Sequence, residues 1–219
     1  MMEETKLSKL LFSRAEKLWI EASQKDFVIG MARGDLSRGR FCSYMIQDHL
    51  YMLDYKGILE QLLNCTEDPE LCSFIDRMIE EVEYETDRVH IPALKKAGIG
   101  ESDIRNSSMD TVLAEYVGFM RSIVAERGLL AGLTALLQCS WVYAYIGKSV
   151  MEQYPEEVAC SPYRDWFAAY TSTGYSEANQ RWIDTVDCES AGIGEDTAED
   201  MCRIFVTCAE YENRFWDRL

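Results

Sequence analysis

Apolar residues recur every three or four positions along most of this chain, which is the spacing of one buried face of an α-helix. No segment alternates apolar and polar residues in the way that a half-buried strand does. The pattern therefore predicts an all-α protein whose helices are separated by short breaks. The predicted helices cover residues 7–27, 37–63, 68–96, 109–127, 129–153, 161–171, 175–187 and 197–216.

Caps and glycines mark where these helices begin and end. Ser37 is placed to cap the second helix, and Gly128 separates two helices that are otherwise continuous. Ser161-Pro162 is a cap followed by a first-turn proline, and Thr173-Gly174 breaks the chain before the next helix. Because no repeat and no long linker interrupts this order, we predict a bundle of seven or eight helices.

One segment stands apart because it carries no charge, namely residues 128–147. It is long enough to raise the question of a membrane span, which needs about 20 apolar residues. A threonine, a glutamine, a serine and two tyrosines dilute it, so a central helix buried on all sides is the better interpretation. On this helix Cys139 and Tyr143 lie one turn apart, a thiol beside a phenol.

The overall composition limits the partners. The sequence has 22 Lys and Arg against 38 Asp and Glu, a formal net charge of -16. Such a chain repels phosphate backbones and anionic membranes, so we predict a soluble, cytoplasmic protein with neither nucleic acid nor membrane as partner. Hydrophobic residues make up 47% of the chain, enough for one core, and we predict a single domain over residues 1–219.

The eight cysteines are scattered and form no Cys-x-x-Cys pair. Residues 1–6 lack the basic and apolar regions of a secretory signal, so we predict reduced thiols. Free cysteines are often simply buried, and helical spacing alone favours Cys139 as a core residue, with a nucleophile as the alternative. A nucleophile requires the thiolate, and no histidine or basic residue stands near Cys139 in the sequence.

Two carboxylates share a helical face with aromatic side chains. Asp48 and Tyr51 are three residues apart and are flanked by methionines, which predicts that this face points inward. A buried carboxylate needs a partner, so the sequence alone favours a structural hydrogen-bond acceptor. Glu212 lies three and four residues before Phe215 and Trp216, and read alone it is a solvated carboxylate near a helix end.

The chain has only two histidines, His49 and His90, and this restricts its metal chemistry. A di-iron bundle requires two Glu-x-x-His pairs, and a zinc deaminase requires His-x-Glu with Pro-Cys-x-x-Cys; neither pattern occurs. Neither histidine lies on an apolar helical face suited to haem, and no glycine-rich phosphate loop is present. We therefore predict no metal and no cofactor, with His49 as a surface or polar-network residue.

Three segments in register resemble the TenA family, also called thiaminase II, and the similarity covers nearly the whole chain. They are residues 44–51 (YMIQDHLY), 136–143 (LLQCSWVY) and 210–216 (EYENRFW). The cysteine in the second segment is typical of the cysteine-bearing class. The resemblance implies a haem-oxygenase-like α-helical fold and a homotetramer.

The resemblance also implies an activity and a role for each matching residue. The activity is hydrolysis of aminomethylpyrimidine, or of thiamin itself, to hydroxymethylpyrimidine for thiamin salvage. Cys139 would be the nucleophile that adds to the pyrimidine ring, Glu212 the acid/base group at a ring nitrogen, and Asp48 the group that binds the aminopyrimidine edge. The residues implied to line the substrate pocket are Tyr51, Tyr116, Tyr143, Tyr170 and Phe215.

Two other functions remain open from the sequence. The first is a non-catalytic protein of the same fold that binds a pyrimidine or acts as a regulator, since fold alone does not determine function. The second is a haem or oxygen-chemistry enzyme, which the two histidines disfavour. The joint presence of Cys139, Glu212 and Asp48 favours the hydrolase.

Overall fold

The computed structural model describes residues 6–219, and the all-α class is confirmed. Over that range the chain forms helices and turns and no strand. The helices are more numerous than predicted because several short ones lie between the long ones. They are α1 (Leu7–Ser23), α2 (Asp26–Arg33), α3 (Arg38–Leu63), α4 (Pro69–Tyr84), a π-helix (Glu85–His90), α5 (Ile91–Lys96), α6 (Glu101–Asn106), α7 (Thr111–Gln153), α8 (Pro155–Cys160), α9 (Arg164–Tyr170), α10 (Thr173–Glu189) and α11 (Glu195–Trp216).

The described chain groups into two compact units. The first unit contains residues 6–36 and 133–218, and the second contains residues 37–132 together with Leu219. Our prediction of one domain over residues 1–219 stays a prediction, and each unit is described separately below.

In the first unit, α1 packs along α11. Trp19 is fully buried at the centre of this contact, with its ring 5.8 Å from that of Phe205 and 5.3 Å from that of Trp141. At the rim, Arg14 Nη2 donates to Glu199 Oε2 at 2.7 Å. A pair of large aromatic rings, Trp19 and Phe205, therefore forms part of the apolar contact between these two helices.

In the second unit, α3 is the central element and packs against α4, the π-helix and α5. The N-terminal part of α7 also contacts α3, where Arg121 Nη2 donates to Asp54 Oδ1 at 2.8 Å. The start of α3 follows the prediction, because Ser37 Oγ accepts a hydrogen bond from the Arg40 backbone N–H. The predicted helix over residues 37–63 is thus confirmed.

Two predicted boundaries are wrong. The first helix ends at Ser23 and α2 starts anew at Asp26, because the chain turns at Gln24 although Phe27 keeps the apolar spacing. Ser161 does not cap α9. It directly follows the short helix α8, and its hydroxyl donates a hydrogen bond to the Met31 carbonyl. Helix α9 begins at Arg164, three residues after Ser161.

The break before α10 also differs from the prediction. Thr173-Gly174 forms the first turn of α10, because the preceding Ser172 accepts a hydrogen bond from the Tyr175 N–H and caps the helix. The break between α9 and α10 therefore lies at Thr171 and Ser172, two residues before the predicted pair.

Gly128 divides α7 as predicted. Its φ of 74° and ψ of -157° are non-helical, in a region of backbone space that is essentially restricted to glycine. The helix contains an apolar stretch long enough to cross a membrane by length and composition, but most of that stretch is buried inside the protein. This supports our interpretation of a core helix.

Candidate active site

Helix α3 presents the first group of candidate residues. Tyr44, Asp48, Tyr51 and Tyr55 are spaced four, three and four residues apart, and all four are buried. The inward face that the sequence predicted for Asp48 and Tyr51 is therefore confirmed. On this face the Tyr51 ring stacks on that of Tyr116 from α7, with centroids 5.8 Å apart and an interplanar angle of 27°.

Asp48 lies beside a buried histidine. His90 Nε2 is 3.4 Å from Asp48 Oδ2 and 3.6 Å from Glu85 Oε1. Burial is the main cause that raises the pKa of Asp48 to about 6, and the charge of Glu85 acts in the same direction. The charge of His90 and a hydrogen bond with Tyr44 act to lower this pKa, but they do not outweigh burial. A carboxyl with this pKa changes charge close to neutral pH.

The two histidines differ in their electrostatics. Burial acts to lower the pKa of His90, but the Glu85 and Asp48 carboxylates outweigh it and raise that pKa. For His49, burial and the nearby His90 lower the pKa, against the opposing effect of Asp87. His49 is buried, with its ring 6.0 Å from that of His90, so the surface alternative is wrong, and its role in a polar network stays a prediction. Asp48, Glu85 and His90 are called the carboxylate–histidine cluster below.

The first unit contains the candidate thiol. Cys139 is half-buried on α7, and Tyr143, one turn later, is buried. The Tyr143 ring is 4.9 Å from the Tyr170 ring and 5.7 Å from that of Trp216. Trp166 closes this group at 4.6 Å from Tyr170. Tyr143, Trp166, Tyr170 and Trp216 are called the aromatic cluster.

Glu212 lies on α11 and is buried, with 3% of its surface exposed. The expectation of a solvated helix-end carboxylate is therefore wrong. Phe215 and Trp216, one turn later, are each 2% exposed, and because they share the face of Glu212 they remain apolar neighbours of a carboxylate. A carboxylate in such a setting is costly unless it is used or paired.

Two residues that the sequence did not single out fix the helix around Cys139. Ser140 Oγ donates to Asn179 Oδ1 at 3.1 Å, and Tyr175 OH donates to the Ser140 carbonyl at 3.0 Å. The Tyr175 ring also meets Tyr170 edge-on at 5.1 Å. Both residues belong to α10, whose mostly polar sequence gives no signal of such a role.

The structure thus brings together Asp48, Tyr51 and the Tyr116 ring in the second unit, and Tyr143 with Tyr170 in the first. Both groups offer aromatic faces to a flat, polar ring, and the group in the second unit also offers a carboxylate. Aromatic faces supply stacking, and carboxylates accept hydrogen bonds from amino groups or bind a protonated ring nitrogen. Within residues 6–219, no group of three or more His, Cys, Asp or Glu is arranged to hold a metal ion.

A sequence profile of the TENA/THI-4/PQQC family matches residues 13–219. The protein belongs to this family. The resemblance that three short segments indicated is therefore confirmed over almost the entire chain.

Two curated relatives of this TENA/THI-4/PQQC protein have the same name. The chain is 24% identical over 211 residues to an aminopyrimidine aminohydrolase of Helicobacter pylori, covering 96% of this chain and 97% of the relative. It is 25% identical over 207 residues to an aminopyrimidine aminohydrolase of Halalkalibacterium halodurans, covering 94% and 92%. A TenA homologue from P. horikoshii has the same fold, with a TM-score of 0.87 at 24% identity over 97% of both chains.

Proposed function

We propose that this protein is a hydrolase of the thiaminase II type, acting on thiamin-derived aminopyrimidines. The observation that carries the proposal is the end-to-end match with relatives named aminopyrimidine aminohydrolase. Its substrates would be aminomethylpyrimidine and thiamin, and its product hydroxymethylpyrimidine for thiamin salvage. The retention of Cys139, Glu212 and Asp48 in the three TenA-like segments supports catalysis rather than binding alone.

In the proposed mechanism, the Cys139 thiolate adds to the pyrimidine ring. Glu212 protonates a ring nitrogen, which makes the ring a better electrophile, so the two residues act in one step. The leaving group departs from the methylene carbon, an amine as ammonia after taking up one proton and thiazole as the neutral base, and water then adds there and releases one proton. Return of the proton to Glu212 and release of the thiolate give hydroxymethylpyrimidine.

Asp48 is proposed to bind the amino group of the same ring. An ionised carboxylate accepts hydrogen bonds and does not donate them, which matches an exocyclic amine. Tyr51 and Tyr116 supply a stacked pair of phenol rings, and Tyr143, Tyr170 and Phe215 are proposed as the other pocket-lining residues. Fixing the ring in one orientation reduces the entropic cost of the addition step.

The proposal also covers the location, the oligomeric state and the partners of the enzyme. We infer a cytoplasmic homotetramer that needs neither metal nor cofactor and binds neither nucleic acid nor membrane. The excess of acidic residues supports the last two points.

Hydrolysis assays with aminomethylpyrimidine and thiamin test the proposal. Wild type should release ammonia from the first compound, and Cys139→Ala should lower kcat/KM by at least about 10,000-fold, as expected when a nucleophile is removed. Cys188→Ala, at an exposed cysteine of the same unit, is the control and should match wild type.

Two outcomes contradict the proposal. If wild type turns over neither compound while binding hydroxymethylpyrimidine in calorimetry, the protein is a pyrimidine-binding member of the family. If Cys139→Ala keeps full activity, the thiol is not the nucleophile.

A further inference from the structure

The π-helix Glu85–His90 determines which side chains face Asp48. Its defining bond runs from the Ile91 N–H to the Thr86 carbonyl, five residues back. At 3.6 residues per turn, residues five apart in an α-helix point about 140° away from each other. The wider π turn brings Glu85 and His90 to one side, where both carboxylates lie within 3.6 Å of a single imidazole nitrogen.

Both His90 and Asp48 are buried, so their polar atoms depend on protein partners rather than on water. His90 is 2% exposed and Asp48 is 7% exposed, so neither has water as an adequate partner. His90 Nδ1 has no hydrogen-bond partner among the described residues, and Nε2 is the nitrogen that faces both carboxylates. The orientation of the ring is therefore set through Nε2, and an uncompensated carboxylate beside it would be costly.

We propose that His90 is a positioning residue: through Nε2 it ties Asp48 to Glu85 and so fixes the direction in which the Asp48 carboxylate meets the aminopyrimidine amino group. The inference rests on the proposed function for its substrate, and on the contacts within the second unit for its geometry. His90 is not a catalytic residue, because it acts on the substrate through Asp48.

The surrounding charges support a proton held on His90. The titratable groups that face the two histidines are Asp48 from α3 and Glu85 and Asp87 from the π-helix. The carboxylates raise the pKa of His90, whereas burial and His90 itself lower that of His49. His49 is thus a neutral, buried neighbour on α3 and a suitable control for His90.

The first experiment measures kcat and KM for aminomethylpyrimidine hydrolysis by wild type, His90→Gln, His49→Gln and Asp48→Asn, with circular dichroism to verify folding. His90→Gln should lower kcat/KM by about 10- to 100-fold, the effect seen when groups that orient metal ligands are removed. His49→Gln should change it much less. In the Asp48→Asn background, His90→Gln should cause no further loss, because coupled residues are non-additive.

Two results would overturn the positioning role. One is an unchanged kcat/KM in His90→Gln. The other is a decrease in kcat/KM on His90→Gln that is equally large in the wild-type and the Asp48→Asn backgrounds. If His90→Gln does not fold, Glu85→Gln replaces it, since the side chain of Glu85 is partly exposed. Glu85→Gln should produce a smaller loss that also disappears in Asp48→Asn, and an undiminished loss there would refute the inference.

The second experiment separates this inference from the proposed function. Histidine-ring NMR titrations without substrate should show that Asp48→Asn lowers the pKa of His90, because one of its two carboxylate neighbours is lost. A value equal to that of wild type would overturn the pairing. If the pKa falls but wild type hydrolyses no aminopyrimidine, the pairing stands and the proposed function fails.

Discussion

The carboxylate–histidine cluster and the aromatic cluster hold their side chains by different physical means. In the first, charged groups approach within 3.4 and 3.6 Å of one nitrogen. In the second, Tyr143, Trp166, Tyr170 and Trp216 fix one another through ring contacts and carry no charge at neutral pH. A single proton can alter the first, whereas the second depends on shape.

Because of this difference, we expect substitutions in the two regions to affect the protein in different ways. Substitutions in the first unit should act through the loss of single proposed catalytic groups, above all Cys139 and Glu212. Substitutions in the carboxylate–histidine cluster should act through charge, and their effects should vary with pH. Each of the following measurements tests one side of this contrast.

The largest effect tests Glu212, the carboxylate of the first unit that we propose as the acid/base group. Glu212→Gln keeps the size of the side chain and removes its acid function, so we expect a loss in kcat of about 100- to 10,000-fold. Glu210→Gln, at an exposed carboxylate on the same helix, is the control and should retain wild-type turnover. Equal rates for Glu212→Gln and wild type would remove Glu212 from the proposed mechanism.

A pH series of urea unfolding tests the charge network. The pKa of Asp48 rises from 3.8 to about 6 on folding, so the folded state holds that proton more tightly. The contribution of Asp48 to the free energy of unfolding should therefore fall, by about 2 kcal/mol, as the pH rises from 4 to 7. Asp48→Asn, which cannot ionise, should lose this part of the pH dependence.

The control for that series is Asp76→Asn, at an exposed carboxylate of α4. It should follow the wild-type curve at every pH. A constant difference between Asp48→Asn and wild type from pH 4 to pH 7 would show that Asp48 is not electrostatically strained in the folded state.

The smallest effect concerns a backbone position rather than either cluster. Gly128→Ala should destabilise the fold by about 1–3 kcal/mol, because alanine is strained at this φ and ψ. A Cβ at Gly128 meets no atom within 4 Å, so crowding is not the cause. The loss should be the same at all pH values, which distinguishes it from the Asp48 effect.

Gly118→Ala is the matched change within α7, since its Cβ also meets nothing within 4 Å. Alanine is favoured there by up to about 1 kcal/mol. Similar thermal unfolding of the two variants would mean that the kink does not require glycine.

Much of the helical order could be predicted because local signals decide it. Ser37 caps α3, and Gly128 interrupts α7, as the sequence indicates. The prediction that Ser161 caps α9 failed. Its hydroxyl accepts a hydrogen bond from the Tyr163 N–H but also donates one to the distant Met31 carbonyl. A contact 130 residues away in sequence leaves no local pattern.

The candidate site was less predictable from residues alone. Spacing predicted that Asp48 faces inward but placed Glu212 in solvent, because a position near a helix end does not reveal that both turns around it are covered. The partnership of His90 with Asp48 could not be predicted, since it depends on a π turn, and the spacing of five that this turn aligns has no meaning in an α-helix. The chemical roles came from the family resemblance.

The π-helix has one further consequence, for chain length rather than residue identity. A π turn holds one residue more than an α turn of the same pitch, so deleting one residue from Thr86–Val89 would restore an ordinary helix. Glu85 and His90 would then be four residues apart in an α-helix, so they would still share a face. In this family member, a single-residue deletion therefore tests whether the pairing of Glu85 with His90 requires the π turn itself or only two side chains on one helical face.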